Sequence, residues 1–435
     1  MVPGQARQKA KQQNESIIHA AIVVATGILV TSLAQPQLLA GIPFENLLKN
    51  DLHVDRAANA AFFFWASLPW YFKPLAGVIT DAFPIFRSRR KSYLLISSVL
   101  AVLAWTGLYF TPHDYHKLLY LTMLINVCMV VASTAVSAYM VEIAHACSGS
   151  GRLTAVNNFV EQLALVIAGP TAGYLASAAF GWTAVACGGI MFLVIPVAFL
   201  LLHERPTAID SRLQLQAASQ QLKQVLQTKG VWMATGLMMV FYWAPGLQTA
   251  LFYKQQNDLH FDTKTQGFFE LIGGVCSILA TLLYVFLCRK ISLRRLLPGC
   301  LAIGASANLG YLFYTSIRRA GAIEGFNGFA YAAAELVIMD LAIRATPKGS
   351  EGFAFSLMMS VRNLSLLGTD WVGAKLIDDL HWSFESVVWA SAIVAALAVP
   401  IALLLPSGLV GHKDAETLTV EGSLPTQLPI TEPVL

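Results

Sequence analysis

The chain has 435 residues, of which 56% are hydrophobic and only 12% are charged, and its mean hydropathy is +0.59. This composition excludes a water-soluble globular domain and indicates a protein with many membrane spans. The net charge of +4 does not indicate nucleic-acid binding, because most basic residues fall in short loops between apolar segments.

Twelve apolar segments of roughly 20 residues follow one another along the chain, each long enough to cross a bilayer. The sequence therefore predicts an all-α polytopic membrane protein with 12 transmembrane helices. The predicted starts are Ile17, Ala57, Ser92, Lys117, Leu153, Gly181, Val231, Gly267, Leu296, Gly321, Phe353 and Ser386.

A long polar interval after the sixth segment divides the chain into two halves. We predict a cytoplasmic tail over residues 1–16, six-helix halves over 17–202 and 231–406, a linker over 203–230, and a disordered tail over 407–435. The termini and the loops after even-numbered spans hold more than twice as many Lys and Arg residues as the other loops. By the positive-inside rule both termini are cytoplasmic.

An internal repeat supports two related halves. The loop before span 2 is NDLHVD, Asn50–Asp55, and the loop before span 8 is NDLHFD, Asn257–Asp262. A Phe-Phe pair follows each loop, and the Thr-Gly pairs at 26–27 and 235–236 occupy corresponding places upstream. Duplicated six-helix halves predict a substrate site between the halves at mid-membrane.

Span 2 carries Lys73 inside an apolar, aromatic stretch and ends in Asp81 and an arginine-rich turn. A charged side chain at bilayer depth is costly and usually functional. The segment PWYFKPLAGVITDAFPIFRSRRKSYL, residues 69–94, resembles the hallmark of the folate-biopterin transporter family of the major facilitator superfamily. A second segment, TPKGSEGFAFSLMMSVRNLSLLG, residues 346–368, resembles the same family.

The resemblance implies the major facilitator fold, in which two pseudo-symmetric halves alternate access to a central site. It also implies a cytoplasmic gate, in which Asp81 lies near the N-terminus of span 11, where the helix dipole favours an anion. The residues of this predicted gate are Gly77, Asp81, Arg87, Arg89 and Arg90.

Four charged residues fall at similar predicted depth in the spans: Lys73, Glu161, Glu335 and Arg362. A pterin ring presents adjacent donors that a carboxylate accepts, while an anionic tail favours Arg or Lys. We therefore predict that Glu161 or Glu335 binds the ring and that Lys73 or Arg362 binds the anionic end. The alternative is a set of salt bridges that only hold the bundle together.

Three aromatic residues are predicted stacking surfaces for a flat ring, Tyr71, Tyr242 and Trp243, with ordinary packing as the alternative. Buried acids that take up a proton are candidates for coupling: Glu161, Glu335 and Asp370. Glu270 is placed near the outer face, and Asp340 with Arg344 is predicted to form a local i,i+4 pair.

The predicted function is secondary active transport of a small solute, folate-like, pterin-like or another organic anion, with proton coupling. The alternatives are a sugar, peptide or drug transporter and a non-transporting scaffold or sensor. No nucleophile set, metal-ligand spacing or phosphate-binding loop occurs, so neither an enzyme, a metal, a cofactor nor ATP-driven pumping is predicted. We expect a monomer in a bacterial inner membrane or plasma membrane.

Overall fold

The computed structural model describes residues 22–86, 88–147, 150–202, 211–347 and 350–411. The following predicted parts lie outside the described residues: the tail 1–16, the start of span 1 at Ile17, the gate residue Arg87, residues 203–210 of the linker and residues 412–435 of the C-terminal tail. Within the described part the chain folds into helices and forms no β-strand, with a single bridge between Ile85 and Ser88. The predicted all-α class is confirmed.

Six spans make up the first half. Span 1 runs over Ile22–Leu33 and resumes at Gly41–Asn46 and Leu47–Asp51. The other five are span 2, Arg56–Ala66, Leu68–Tyr71 and Lys73–Ala82; span 3, Lys91–Phe110; span 4, Tyr115–Cys147; span 5, Ser150–Ala176; and span 6, Phe180–Phe192 and Val194–Leu201.

A helix at Ser211–Gln227 precedes the second half. The remaining spans are span 7, Lys229–Tyr242 and Gln248–Asn257; span 8, Thr263–Lys290; span 9, Leu293–Ala307 and Asn308–Phe313; span 10, Ile317–Ala345; span 11, Glu351–Asp378; and span 12, Phe384–Ala396 and Ala398–Leu403. A last short helix, Ser407–Val410, follows. Spans 2 to 12 begin within about four residues of their predicted starts, as expected for boundaries read from hydropathy.

Seven of the described helices are long and apolar enough to cross a membrane by length and composition: spans 3, 4, 6, 8, 9, 10 and 12. The other five are interrupted or carry charges. Spans 1, 2 and 7 break at prolines, which remove a backbone donor and clash with the preceding turn. Spans 5 and 11 carry charged residues, Glu161 in span 5 and Arg362 with Asp370 in span 11. Broken and charged spans of this kind line cavities in transporters.

Each half has its own apolar core. In the first half Trp105, Phe44 and Phe62 are fully buried, and in the second Leu297, Met238 and Val337 are. The halves meet chiefly where span 5 crosses span 8 and where span 2 runs along span 11. The substrate path of such a fold lies between those two contacts.

The NDLH repeat is also a structural repeat. His53 and His260 both adopt left-handed backbone with φ of 53°, a conformation in which His is enriched among non-glycine residues. Asp55 and Asp262 then cap the next helix by accepting from an N–H three residues ahead, at 2.7 and 2.9 Å. His381, in the Asp-Leu-His sequence after span 11, has the same conformation with φ of 55°. The Asp-Leu-His sequence at 379–381 is therefore a third copy of the same turn.

Removing the Asp262 cap gives a testable stability change. Hydrogen bonds from the Thr265 hydroxyl and N–H hold the pKa of the Asp262 carboxyl below its ordinary value. A carboxyl group whose pKa is lower in the folded protein than in the unfolded chain stabilises the fold at pH values above its unfolded pKa. This stabilisation is lost as the pH falls through the pKa of the folded protein. We expect Asp262→Ala to lower the free energy of unfolding by about 1 kcal/mol at neutral pH. In detergent, the unfolding temperatures of the parent and the variant should become equal below about pH 3. A difference in unfolding temperature that does not change with pH would contradict the capping role.

Candidate functional site

The two halves are locked together at the end of the bundle that carries the loops 51–55 and 258–262, here called the NDLH face. Arg56 of span 2 forms an ion pair with Asp378 of span 11 at 2.7 Å, and the second Asp378 oxygen accepts from the Ala57 N–H at 2.9 Å. The Tyr253 hydroxyl donates to the Val54 carbonyl at 2.6 Å. These contacts join opposite halves, so the NDLH face is closed in this structure.

Glycines let the backbones approach at the same closed end. A Cβ on Gly267 of span 8 would collide with the carbonyl oxygen of Gly169, and one on Gly173 would collide with the Thr263 carbonyl. Spans 7 and 11 repeat the arrangement, because Gly373 lies against the Gly246 carbonyl. Such close crossings need small residues, as is common between membrane helices.

The middle of the second half holds an ion pair stacked on an aromatic ring. The Arg362 guanidinium lies 2.5 Å from a Glu335 carboxyl oxygen and 5.1 Å from the centroid of the Tyr242 ring. The Glu335 side chain is 41% exposed and that of Arg362 is 20% exposed. The pair is therefore accessible to a solute rather than sealed in the core. The structure brings together these three predicted site residues.

The middle of the first half holds the predicted cation. The Lys73 ammonium donates to the Ser133 hydroxyl at 3.3 Å and lies 5.3 Å from the centroid of the Trp70 ring. Glu161 of span 5 is close enough to act on it electrostatically. Trp70 is fixed in turn, since its indole N–H donates to Asn126 at 2.9 Å. Sequence reasoning missed Trp70 and Ser133; the Pro-Trp-x-x-Lys-Pro pattern of span 2 was the available signal for Trp70.

Helix breaks position these groups. Pro69 and Pro74 stand at the first turns of two short helices in span 2, and Lys73 begins the second of them. In span 7 the helix ends at Tyr242, and residues 243–247 are non-helical around Pro245. Span 1 is non-helical at residues 34–40, the corresponding place in the repeat. Interrupted helices at equivalent positions of two halves point to a transporter binding site.

The remaining predicted contact residues are distributed differently. Tyr71 is 8% exposed, its hydroxyl donates to the Phe64 carbonyl at 2.9 Å, and its ring packs on Phe64. Trp243 is 57% exposed beside the break in span 7. Asp370 is buried and accepts from the Thr249 hydroxyl at 2.6 Å. Asp370 therefore lies toward the NDLH face, away from the Arg362 pair.

The predicted gate lies at the opposite end, here called the arginine face. Asp81 forms ion pairs with Arg90 at 2.6 Å and with Arg89 at 3.2 Å. It makes no hydrogen bond to span 11 within the described part of the chain. Gly77 has room for a Cβ, whose closest contact would be 3.9 Å from Thr134. In this conformation Asp81 is held by its own loop.

Two other predictions concern charged residues of the second half. Asp340 and Arg344 form the predicted local pair, with the Arg344 Nε 2.7 Å from the carboxylate, and the Tyr284 hydroxyl also donates to Asp340. That prediction is confirmed. Glu270, which the sequence places near the outer face, is exposed, and it is close enough to Glu324 and to Glu45 of span 1 for electrostatic interaction. No motif or spacing in the chain indicates that these acids lie near one another.

Comparison with known sequences places this arrangement in a family. Residues 37–423 match the BT1 family. The chain is 24% identical to the folate-biopterin transporter of Synechocystis over 391 residues, covering 83% of this chain and 77% of that protein. It is 24% identical to probable folate-biopterin transporter 5 of Arabidopsis thaliana, covering 78% and 73%. It is 23% identical to folate transporter 1 of Plasmodium falciparum, covering 81% and 72%.

Solved structures with the same fold are also transporters. The crystal structure of a D-xylose-proton symporter aligns with a TM-score of 0.71 at 14% identity, covering 90% of this chain and 98% of that one. The nucleoside transporter NupG aligns with a TM-score of 0.64 at 11% identity, covering 88% and 98%. The fold is that of the major facilitator superfamily, and the chain is a multi-pass membrane transporter rather than an enzyme. It belongs to the BT1 family, the folate-biopterin transporters.

Proposed function

We propose that the chain carries folate or a related pterin anion across the membrane by alternating access. The observation that carries the proposal is the accessible ion pair of Glu335 and Arg362 on the face of Tyr242. A carboxylate, a guanidinium and an aromatic face match the donor edge, the anionic tail and the flat ring of a pterin. The relatives in Synechocystis and Plasmodium falciparum, a folate-biopterin transporter and a folate transporter, agree with this substrate class.

Binding proceeds by exchange of partners. The Arg362 guanidinium leaves Glu335 for the carboxylate of the solute, and Glu335 accepts from the aminopyrimidinone edge. Lys73 and Glu161 face the solute from the first half, with Trp243 as a second aromatic surface. Tyr71, with its ring against Phe64, supports the site by packing.

Residues 17–202 and 231–406 act as two bodies that rock about this site, joined by the linker 203–230. We place both termini in the cytoplasm and the NDLH face outside, as the distribution of basic loops indicates. The arginine face is then cytoplasmic, and Asp81 with its arginines gates it. One chain contains both halves of the path, so a monomer suffices, and a proton gradient across the inner or plasma membrane supplies the driving force.

The test is uptake of labelled folate and biopterin into cells that express the chain, with and without a proton gradient. Lys73→Ala and Glu161→Gln should each lower uptake at least about tenfold, since a charge-assisted contact contributes about 1.5 to 3 kcal/mol. Lys117→Ala is the matched control, because Lys117 is exposed at the NDLH end of span 4. Absence of uptake by correctly inserted protein would remove the folate assignment and direct the search to other organic anions.

A further inference from the structure

The helix Ser211–Gln227, here called the linker helix, lies across both halves at the arginine face. It contacts the last segment of span 2, Lys73–Ala82, and it also contacts spans 7 and 11 of the second half. The Gln224 side chain accepts a hydrogen bond from the Ser350 hydroxyl, at the start of span 11, at 2.7 Å. Val225 is buried in the core of the second half. These contacts fix which side of the linker helix faces the bundle.

A second side of the linker helix exposes three leucines, here called the leucine strip. Leu215, Leu222 and Leu226 are 43%, 40% and 47% exposed. Their spacing of seven and four residues places them within about 40° of one another around the helix axis, and roughly 80° away from Val225. Leu213 is exposed singly on the opposite side, which is ordinary for a surface residue. The strip is therefore an apolar surface that the bundle leaves uncovered.

The leucine strip continues the membrane-facing surface of span 7. Trp232, at the start of that span, is 56% exposed, and its indole N–H donates to the Leu226 carbonyl at 2.8 Å. An exposed tryptophan at the end of a membrane span is typical of the boundary between hydrocarbon and water. Because Leu226 contacts Trp232 directly, the strip lies close to this boundary. An amphipathic helix at that depth buries its apolar side among the lipids.

The charge of this segment matches an anionic lipid surface. Residues 211–242 include Arg212, Lys223 and Lys229 but no acidic residue. Lys223 and Lys229 are exposed, and each follows a leucine of the strip by three residues or fewer. One basic residue near an anionic membrane surface strengthens attachment about fivefold. A second copy of this chain would present the same positive charge, so the complementarity favours lipid over self-association.

We propose that the linker helix docks on the bilayer through the leucine strip, with Lys223 and Lys229 on the phosphates of anionic phospholipids. The connection between the two halves is then a membrane-attached element rather than a solvated loop. In the orientation proposed above, the leaflet that binds the helix is the cytoplasmic one. Docking itself does not depend on that orientation or on the solute that the protein carries.

The test measures what surrounds each side of the linker helix. Nitroxide spin labels are placed at Leu222→Cys or Gln220→Cys in protein whose native cysteines have been replaced, in vesicles of phosphatidylcholine with phosphatidylglycerol. Gln220 is the matched control, because it is also exposed but points about 160° away from Leu222. The Leu222 label should be relaxed by oxygen, which dissolves in the bilayer, at a depth of roughly 5 to 10 Å. The Gln220 label should be relaxed by a water-soluble nickel chelate.

Two further substitutions in the Leu222-labelled protein separate the apolar contribution from the electrostatic one. Lys223→Gln should lower the ratio of docked to undocked helix about fivefold in the mixed vesicles. It should change nothing in vesicles of phosphatidylcholine alone, which carry no net charge. Leu226→Gln should weaken docking in both kinds of vesicle, because the gain from burying apolar surface does not depend on lipid charge.

Hydrogen exchange on the unaltered protein tests the proposal without any cysteine substitution. Amides of residues 211–227 should exchange more slowly in nanodiscs that contain phosphatidylglycerol than in phosphatidylcholine alone. Equal access of nickel to the Leu222 and Gln220 labels, or exchange that is independent of lipid charge, would overturn the proposal. Protection of the Leu222 label from both oxygen and nickel would also overturn it, because protein, such as a second copy, would then cover the strip. None of these measurements needs folate, so their outcome is independent of the proposed transport function.

Discussion

Replacing Arg362 with glutamine should lower uptake of labelled folate by about tenfold to a hundredfold. The substitution removes a charge-assisted contact that we assign to the anionic end of the solute, a contribution of about 1.5 to 3 kcal/mol. It also leaves the half-exposed Glu335 without its cation. Arg362→Lys should retain part of the activity, because an ammonium keeps the charge but not the planar fork that holds Glu335 beside Tyr242.

A charge reversal separates binding from mere bundle stability. Protein with Glu335→Arg and Arg362→Glu keeps an ion pair between spans 10 and 11, but the positive and negative charges of the site have changed places. If Arg362 binds solute, this protein should insert normally and remain inactive; restored uptake would make the pair structural. Arg344→Gln is the control, because Arg344 is also ion-paired within span 10 but lies about two and a half turns beyond Glu335.

Adding one methyl group at Gly267 should prevent the NDLH face from closing. The new Cβ would collide with the Gly169 carbonyl and approach Gly173, and backbone atoms cannot rotate away as a side chain can. Overpacking of this kind costs about 1 to 3 kcal/mol, enough to lower the closed population by roughly tenfold. Uptake should fall in parallel, since alternating access requires both closures.

The measurement is cysteine cross-linking between the loops 51–55 and 258–262, with uptake in the same cells. Gly189→Ala is the control, because a Cβ at Gly189 meets nothing within 4 Å. Unchanged cross-linking and uptake in Gly267→Ala would mean that the face closes through other contacts. Cross-linking and uptake measured on Gly373→Ala test whether the crossing of spans 7 and 11 is equally important for closure of the NDLH face.

The two predictions concern different parts of one cycle. Arg362 and Glu335 lie in the layer that we assign to the solute, whereas Gly267 lies beside Glu270 in the contact that we assign to closure. Loss of transport with normal closure is expected from the first change, and loss of both from the second. If uptake and cross-linking of the NDLH face changed together in every variant, this division would be contradicted.

The sequence by itself determined the features of this protein that depend on local chemistry: the spans, the two related halves and a local ion pair. Apolar length predicts where the spans lie, since crossing a bilayer requires about 20 mainly apolar residues whatever the fold. The repeated NDLH loops indicated two related halves, and the spacing of Asp340 and Arg344 predicted their pair, because i,i+4 residues are neighbours on any helix. The charged residues inside the spans were recognisable from sequence too, because charged side chains in the bilayer are costly and are usually functional.

Only the tertiary structure decided which distant groups meet. Hydropathy carries no information about helix rotation, so it could not pair Arg362 with Tyr242, or show that Tyr71 faces Phe64. The ion pair of Arg56 with Asp378 joins residues more than 300 positions apart, and the crossing of spans 5 and 8 depends on how closely Gly169 and Gly267 let the two helices approach. Such contacts are properties of packing between the halves, and no single segment of the sequence contains them.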